Sequence, residues 1–564
     1  MAIRDLRSSP APFRSVDTEF CVIGAGMAGL FLARRLARAG RRVTVLESGR
    51  AVFDDQSHAL NEIVDVHGRY SRALDGRFRG LGGSSSRWGG RIVPIYQHDT
   101  RPRSYLGLEG WPFPYEDLEP YAAEIEDVFG LPHDPFGAEA IQRVHLDTAF
   151  PVDDPDFTGR LAKWINFRQC NLATVWRHEL EALESLDIWL DATVTDFRLD
   201  DERGLLTEVE ARDFSGKTIR VRAERFVVAA GTIETTRLLL WLDAQSDNRA
   251  FASTPALGHY FQDHIKSEVA TISRQHQALS NRLFAYHYLD GTRRSLHLDL
   301  TTEAQEQDGG TSAFVYAAMD LSQSSLSLVK SVVRGLQHGH LRPRDFTALV
   351  GEIPLMLRSA WWLYTKGQVF MPESVRLGVQ IAIEQLPQWD NHIRLAAERD
   401  ALGVPKAELH WLPRDEDERT FETTALRLRN YWSRIGLDAS CPLTWLAGAE
   451  HGRERYVDRA DAYAHPSGSS RMGSNPASSV VNPDLVCHAI PNLSVASAAA
   501  FPSSGSANPT FTILQLALRH ADTLLRQATQ AVSSLPRQAG SASLSAAMAP
   551  LNASATRATS STSI

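Results

Sequence analysis

The chain has 564 residues, four cysteines and a formal net charge of -8, with a pI near 6.2. A chain of this length buries a large core, in two or three domains, without help from metals or disulfides. The interspersed acids and bases exclude an electrostatic footprint for nucleic acid, and Cys21, Cys170, Cys441 and Cys487 lack the paired spacing of a zinc site or a disulfide framework.

The residues before Asp17 contain no apolar run like that of a secretory signal, and no stretch approaches the roughly 20 apolar residues of a membrane span. A cytoplasmic protein with a small-molecule partner is expected. Phe20 to Ile23 read as a buried strand, and Leu30, Leu32, Ala33, Leu36 and Ala37 as the apolar face of a following helix. Gly24, Gly26 and Gly29 lie between and within them. In a strand-turn-helix dinucleotide site the first glycine makes the tight turn, the second admits a pyrophosphate to the backbone, and the third lets helix and strand pack closely. Val43 to Leu46 form the next strand, and Glu47 at its end is placed to accept from both ribose hydroxyls, which argues against NADP. ADP binding is the first expectation; these residues alone do not choose between FAD and NAD.

A loop, RFRGLGGSSSRWGGRIVPI, follows at residues 77 to 95. Its glycines and serines rule out a regular helix and suit a loop that lies flat against a planar ligand. A short helix is expected around residues 116 to 129. Polar turns alternate with strands from Ile188 to Val228, as in a hairpin meander. RFVVAAGTIETTRLLLW then forms a second strand-glycine-helix unit, with Gly231 at the turn, that returns to the same parallel sheet. Residues 270 to 300 and 373 to 412 are strand-rich and suggest a second, antiparallel domain. The apolar segment between them, to about residue 367, reads as a helical cover over that domain, in preference to an interfacial membrane helix or a dimer contact, and residues 415 to 435 as a charged amphipathic helix. Asn508, before Pro509 and an apolar run, reads as a helix N-cap. Beyond about residue 532 the Ser/Ala-rich tail is expected to be disordered.

GAGMAG with Glu47, GLGGSSSRWGG, AAGTIETTRLLL, LGHYFQDH, LPQWDNHIRL, HPSGSSRMG and FPSSGSANPTFTILQLALRHA together resemble the glucose-methanol-choline (GMC) family of FAD-dependent oxidoreductases, in family order from about residue 18 to 530. GGSSSRWGG is most similar to the branch acting on sugars and polyols. The resemblance implies an α/β fold, with a discontinuous Rossmann-like FAD-binding domain and a second α+β substrate domain built on an antiparallel sheet. The corresponding division is 17–100, 166–269 and 456–531 for the FAD-binding parts, 101–165 for a cap or connecting segment, 270–455 for the substrate domain and 532–564 for the tail.

The same resemblance makes His465, at the head of HPSGSSRMG, the catalytic base, since a neutral imidazole has a pKa near the working pH. It makes Asn508 the second catalytic residue, bonding the substrate oxygen, with Pro509 and Thr510 opening a helix whose positive end points at the flavin. Ser84 and Ser85 beside Gly83 are implied contacts to the isoalloxazine or pyrophosphate, Val194 to adenine through its backbone, and Trp88 a wall of the substrate pocket. Ser497 stands where many relatives carry an aspartate near the ribityl chain. Arg87 is the nearest counterpart of a histidine that some sugar-oxidising relatives join covalently to flavin, so non-covalent FAD is expected.

The expected reaction is oxidation of a CH–OH group of a sugar, glycoside or polyol-like natural product to a carbonyl. A redox-neutral lyase or a light-driven decarboxylase on the same FAD fold is the alternative. Oxygen, a quinone and an electron-transfer protein all stay open as electron acceptors.

Overall fold

Phe20, Cys21, Val22 and Ile23 are all buried at the end of the strand Phe13–Ile23. A strand with no polar face belongs in a sheet covered on both sides. In the computed structural model, which describes residues 3–200, 202–320, 353–446 and 454–533, this strand is central to the first of two large sheets. Val43–Leu46, Leu186–Leu190 and Ile3–Asp5 follow it in parallel on one side. Thr218–Val228 runs parallel on the other side and is joined in parallel by Leu493–Val495. The antiparallel meander Thr193–Asp200, Leu205–Arg212 and Thr218–Val228 extends the sheet as expected. Helices Met27–Arg38 and Thr510–Ser533 pack against each other. The chain ends of the parallel strands therefore converge on one edge, where doubly wound sheets bind their ligands.

The second sheet is antiparallel throughout. Leu443–Trp445, Ile265–Ile272, Arg376–Ile383, Ala313–Asp320, Thr292–Leu300, Phe157–Trp164 and Arg91–Ile92 lie side by side, with Asp461–Ala462 added to Ile265–Ile272. The amphipathic helix Asp415–Arg434 contributes buried Phe421, Leu428, Tyr431 and Trp432 to the core of this domain.

Four expectations need correction. The segment 101–165 is no mere connector, because Phe157–Trp164 pairs along its whole length with Thr292–Leu300. Its buried charges hid it: Lys163 is satisfied by Glu126 at 2.5 Å and Asp134 at 3.1 Å, and Arg160 donates to the Pro94 carbonyl at 2.7 Å. The substrate sheet likewise spills past 270–455, since it includes Ile265 and Asp461–Ala462. The helix expected at 116 to 129 is confined to Ala122–Val128 and preceded by two 3-10 turns, the second with Pro120 in its first turn. Of the apolar segment, the described helix Ile353–Lys366 buries none of its residues and leaves Leu357, Trp361 and Tyr364 exposed, unlike a sealed cover. Residues 321–352 and the tail beyond 533 lie outside the described residues. No helix among the described residues is long and apolar enough to cross a membrane.

Candidate active site

Two glycines of the first turn, Gly24 and Gly29, have distinct steric reasons. Gly24 has φ +108 and a Cβ there would lie 2.7 Å from the Ala229 carbonyl oxygen. A Cβ on Gly29 would lie 2.0 Å from the Gly24 carbonyl oxygen, so helix Met27–Arg38 can seat on the turn only with hydrogen at that position. Gly26 caps this helix without a side-chain bond, and its first turn holds no acid, which leaves backbone N–H groups for an anion. Gly83, at φ +54, approaches so closely that its Cβ would sit 2.8 Å from Gly26 Cα.

Gly24, Gly26, Glu47, Gly83, Ser84, Val194, Gly231, Ser497, Pro509 and Thr510 line one cleft of about 440 Å³ at the edge of the parallel sheet, with Trp88 and His465 at one end. Gly29 does not line the cleft; it packs beneath the turn. Ser85 also points elsewhere: its hydroxyl donates to Gly82 O at 2.6 Å and accepts from Leu172 N at 3.2 Å, so the expected cofactor contact is replaced by a loop brace. Glu47 is more heavily engaged than its position in the sequence shows. Its carboxylate accepts from the amides of Ala25, Gly49 and Gly80, each at 2.8 Å. With about four lone-pair sites on a carboxylate, about one is left for a ribose hydroxyl, rather than enough for both.

A second cavity of about 430 Å³ opens on the antiparallel sheet, between residues that include Trp88, Arg91, Tyr316, Tyr463, His465 and Asn508. Trp88, Gly89, Tyr463, His465 and Thr510 line both cavities. His465 thus stands where the two meet.

Strand pairing puts it there. Ile265 is opposite Ala462, Tyr463 N donates to His264 O at 2.8 Å, and Gln262 and Ser467 exchange backbone bonds at 2.9 and 2.8 Å. Between these contacts Ala464 adopts φ 62, an uncommon conformation for a residue with a Cβ. The His465 amide donates to Asp263 Oδ1 at 2.8 Å, and Tyr70 donates to Asp263 Oδ2 at 2.7 Å.

The hydrogen bonds around the imidazoles determine their tautomers. His264 Nε2 lies 2.7 Å from the Gly505 carbonyl, which can only accept, so Nε2 carries the proton. Burial pushes the His264 pKa down to about 4, which makes the ring neutral and leaves Nδ1 with a lone pair. His264 Nδ1 is 3.1 Å from His465 Nδ1, so the shared proton belongs to His465. His465 Nε2 is consequently the unprotonated atom, and it accepts from Asn508 Nδ2 at 3.2 Å. Burial holds the His465 pKa well below the ordinary imidazole value, and His264, Arg91 and Lys266 push in the same direction. Asn508 Oδ1, buried, has no hydrogen-bond donor.

Asn508 does not act as the N-cap expected of it. The Pro509 carbonyl accepts the first helical bond, from Ile513 N at 2.9 Å, while the Asn508 amide is used on His465. His264 closes the motif LGHYFQDH, but its bond to His465 spans 201 residues, and the one local signal is two polar residues at the head of an apolar strand.

Residues 19–364, more than half of the chain, match the family model described as FAD dependent oxidoreductase, and residues 387–517 match the one described as GMC oxidoreductase. The chain belongs to the GMC family of FAD-dependent oxidoreductases. Among its GMC-like relatives, 2-methyl-1,2-propanediol dehydrogenase of Mycolicibacterium austroafricanum is 24% identical over 91% of this chain and 96% of that protein. Paromamine 6'-oxidase of Streptomyces fradiae is 24% identical over 89% of this chain and 90% of that protein. A solved structure of formate oxidase from Aspergillus oryzae shares the fold with a TM-score of 0.57 at 15% identity, covering 91% of this chain and 99% of its own.

The GMC cofactor, FAD, fits the residues present. The uncapped helix at Gly26 suits a pyrophosphate, and the close approach of Gly83 to Gly26 keeps side chains off that part of the cleft. Gly29→Ala is expected to push the helix off the turn at a cost of about 1–3 kcal/mol. A lowered thermal midpoint together with weaker FAD binding in a flavin titration would show this, and an unchanged FAD affinity would not.

Proposed function

We propose that the protein oxidises a hydroxyl of a sugar, glycoside or polyol-like compound to a carbonyl, using non-covalent FAD. The observation that carries this reading is His465 at the junction of the two cavities, with Nε2 unprotonated. When bound, FAD supplies the acceptor for the hydride from the carbinol carbon. His465 Nε2 takes the hydroxyl proton, so the alcohol loses one proton and one hydride and leaves as the carbonyl. The entering hydroxyl takes the place of the Asn508 amide at Nε2, and that amide then donates to the substrate oxygen. Trp88, held by its indole N–H on Cys170 O at 3.1 Å, walls the entrance between cleft and cavity. The hydroxylated substrates in the names of the propanediol dehydrogenase and the paromamine oxidase support the substrate class.

Non-covalent attachment is supported by the cleft lining. Among the described residues His465 is its one histidine and it holds no cysteine, while the Arg87 guanidinium lies 3.8 Å from the Phe53 ring centre. Acid precipitation is expected to leave the flavin in the supernatant; flavin that stays with the pellet contradicts this.

Asn508→Ala removes one hydrogen bond to the substrate oxygen and is expected to slow flavin reduction about tenfold, the value of roughly 1.4 kcal/mol. Stopped-flow reduction under anaerobic conditions measures it. The depressed His465 pKa also sets a pH profile. The base is active when unprotonated, so the second-order rate of flavin reduction should stay on its plateau down through pH 6.5, the ordinary imidazole value, and decline only in more acid solution. An acid limb above pH 6.5 assigned to His465 would contradict the desolvated environment.

A further inference from the structure

Most deeply buried arginines of this chain face carboxylates. Arg103 meets Glu384 at 2.5 and 2.8 Å, Arg237 meets Glu234 at 2.8 Å and Asp400 at 3.0 Å, and Arg294 meets Asp134 at 2.7 Å. Arg91 does not. It follows the Gly89–Gly90 pair and puts its guanidinium into the substrate cavity, where Nη2 donates to the Tyr463 hydroxyl at 2.6 Å and Nη1 lies 3.2 Å from His297 Nε2. The rings of Trp164, Tyr316 and Tyr463 stand 5.8, 5.4 and 5.7 Å from it. Among the described residues no carboxylate pairs with it, and the groups that favour its charge are tyrosines. An arginine has five N–H donors in a planar fork, of which two have partners here. Lys266 adds a second cation, its ammonium 4.9 Å from the Tyr463 ring, again with no carboxylate partner among the described residues. Holding a guanidinium without a carboxylate partner against a cavity is costly unless an anion arrives with the ligand. Arg77, which also lacks an acid partner among the described residues, lines the cofactor cleft, where FAD brings its own diphosphate.

We propose that Arg91 is a specificity residue that receives an anionic group, a carboxylate or a phosphate, carried by the hydroxylated substrate. This rests on the alcohol-oxidising reading above and narrows its substrate class to hydroxy acids, uronates or sugar phosphates. Seating the anion would also neutralise one of the charges that hold the His465 pKa down, so the base would strengthen when the correct substrate is bound.

The test uses FAD-loaded protein and matched probes: glycerol, glycerate and glycerol phosphate; glucose, glucuronate and glucose 6-phosphate. Binding is read from tryptophan emission, since Trp88, Trp164 and Trp432 line the cavity, and oxidation from anaerobic flavin bleaching. At least one anionic probe should bind about 10- to 100-fold more tightly than its neutral counterpart, the range of a charge-assisted hydrogen bond. The carboxylate and phosphate arms show which anion is preferred. Arg91→Gln should collapse the ratio towards one, and Arg91→Lys should restore part of it. Equal binding of neutral and anionic probes to the unaltered protein overturns the proposal, and so does a preference that survives Arg91→Gln. Bleaching by neutral probes alone removes the role of Arg91 and leaves the oxidoreductase reading intact. Anion-selective binding without any bleaching keeps Arg91 and counts against oxidation.

Discussion

Replacing His465 with alanine should give a yellow protein whose flavin its substrate barely reduces. The ring is placed by backbone and not by its own packing: the amide on Asp263 and the paired strand ends around Ala464 persist in the variant, as does the cleft lined by Gly24, Gly26 and Glu47. FAD binding is therefore expected to survive. What is lost is Nε2, the unprotonated ring nitrogen at the junction of the cavities and the base of the proposed reaction. General-base assistance is worth about 10² to 10⁴ in rate, and stopped-flow reduction should fall by an amount in that range while the flavin spectrum of the resting protein is unchanged. A second variant, His465→Gln, keeps polarity without basicity and should be nearly as slow. Reduction at the original rate in either would remove the imidazole from the chemistry.

His264 should matter almost as much without touching the substrate. It is a positioning residue: with its Nε2 proton on Gly505 O, its Nδ1 lone pair obliges His465 to carry its proton on Nδ1. His264→Leu removes that acceptor, and His465 is then free to protonate Nε2, the wrong atom for a base. Flavin reduction is expected to drop by about 10²-fold, with substrate affinity little altered. His264→Asn offers an amide oxygen close to where Nδ1 stood and should recover a large part of the rate. Nitrogen NMR of labelled His465 separates this from a structural effect, since the unaltered protein should show the Nδ1–H tautomer and the leucine variant a mixture. The same mixture in the unaltered protein would sink the relay. The Gly505 carbonyl is itself held in place, as Gly505 N donates to Glu384 Oε1 at 2.9 Å and Glu384 is locked by Arg103. A buried ion pair thus reaches the base through three hydrogen bonds.

Local chemistry made part of this legible in the residues alone. The glycine turn, the acid ending the next strand, the second strand-glycine-helix unit at Gly231 and the helix opening at Pro509 each announce themselves within a few residues, and all but Gly29 of those glycines reach the cleft wall with Glu47. The α/β class came with the family resemblance, while strand alternation in residues 270 to 300 and 373 to 412 suggested the antiparallel second sheet. What stayed hidden depends on partners far along the chain. Phe157–Trp164 looks too charged for a core strand until Glu126 and Asp134 are brought to Lys163. Ser85 looks like its neighbour Ser84 until the loop turns its hydroxyl onto Gly82. His264, Arg91 and Tyr463 become a site only when the ends of two strands nearly 200 residues apart are paired, and no spacing in the sequence encodes that.

Anaerobic titration of the dark, FAD-loaded protein with hydroxylated compounds tests the central claim most directly. One compound at least should bleach the flavin stoichiometrically and yield the matching carbonyl. A protein that turns over a substrate while its flavin stays oxidised throughout, or that reacts only under illumination, would contradict hydride removal from an alcohol at His465.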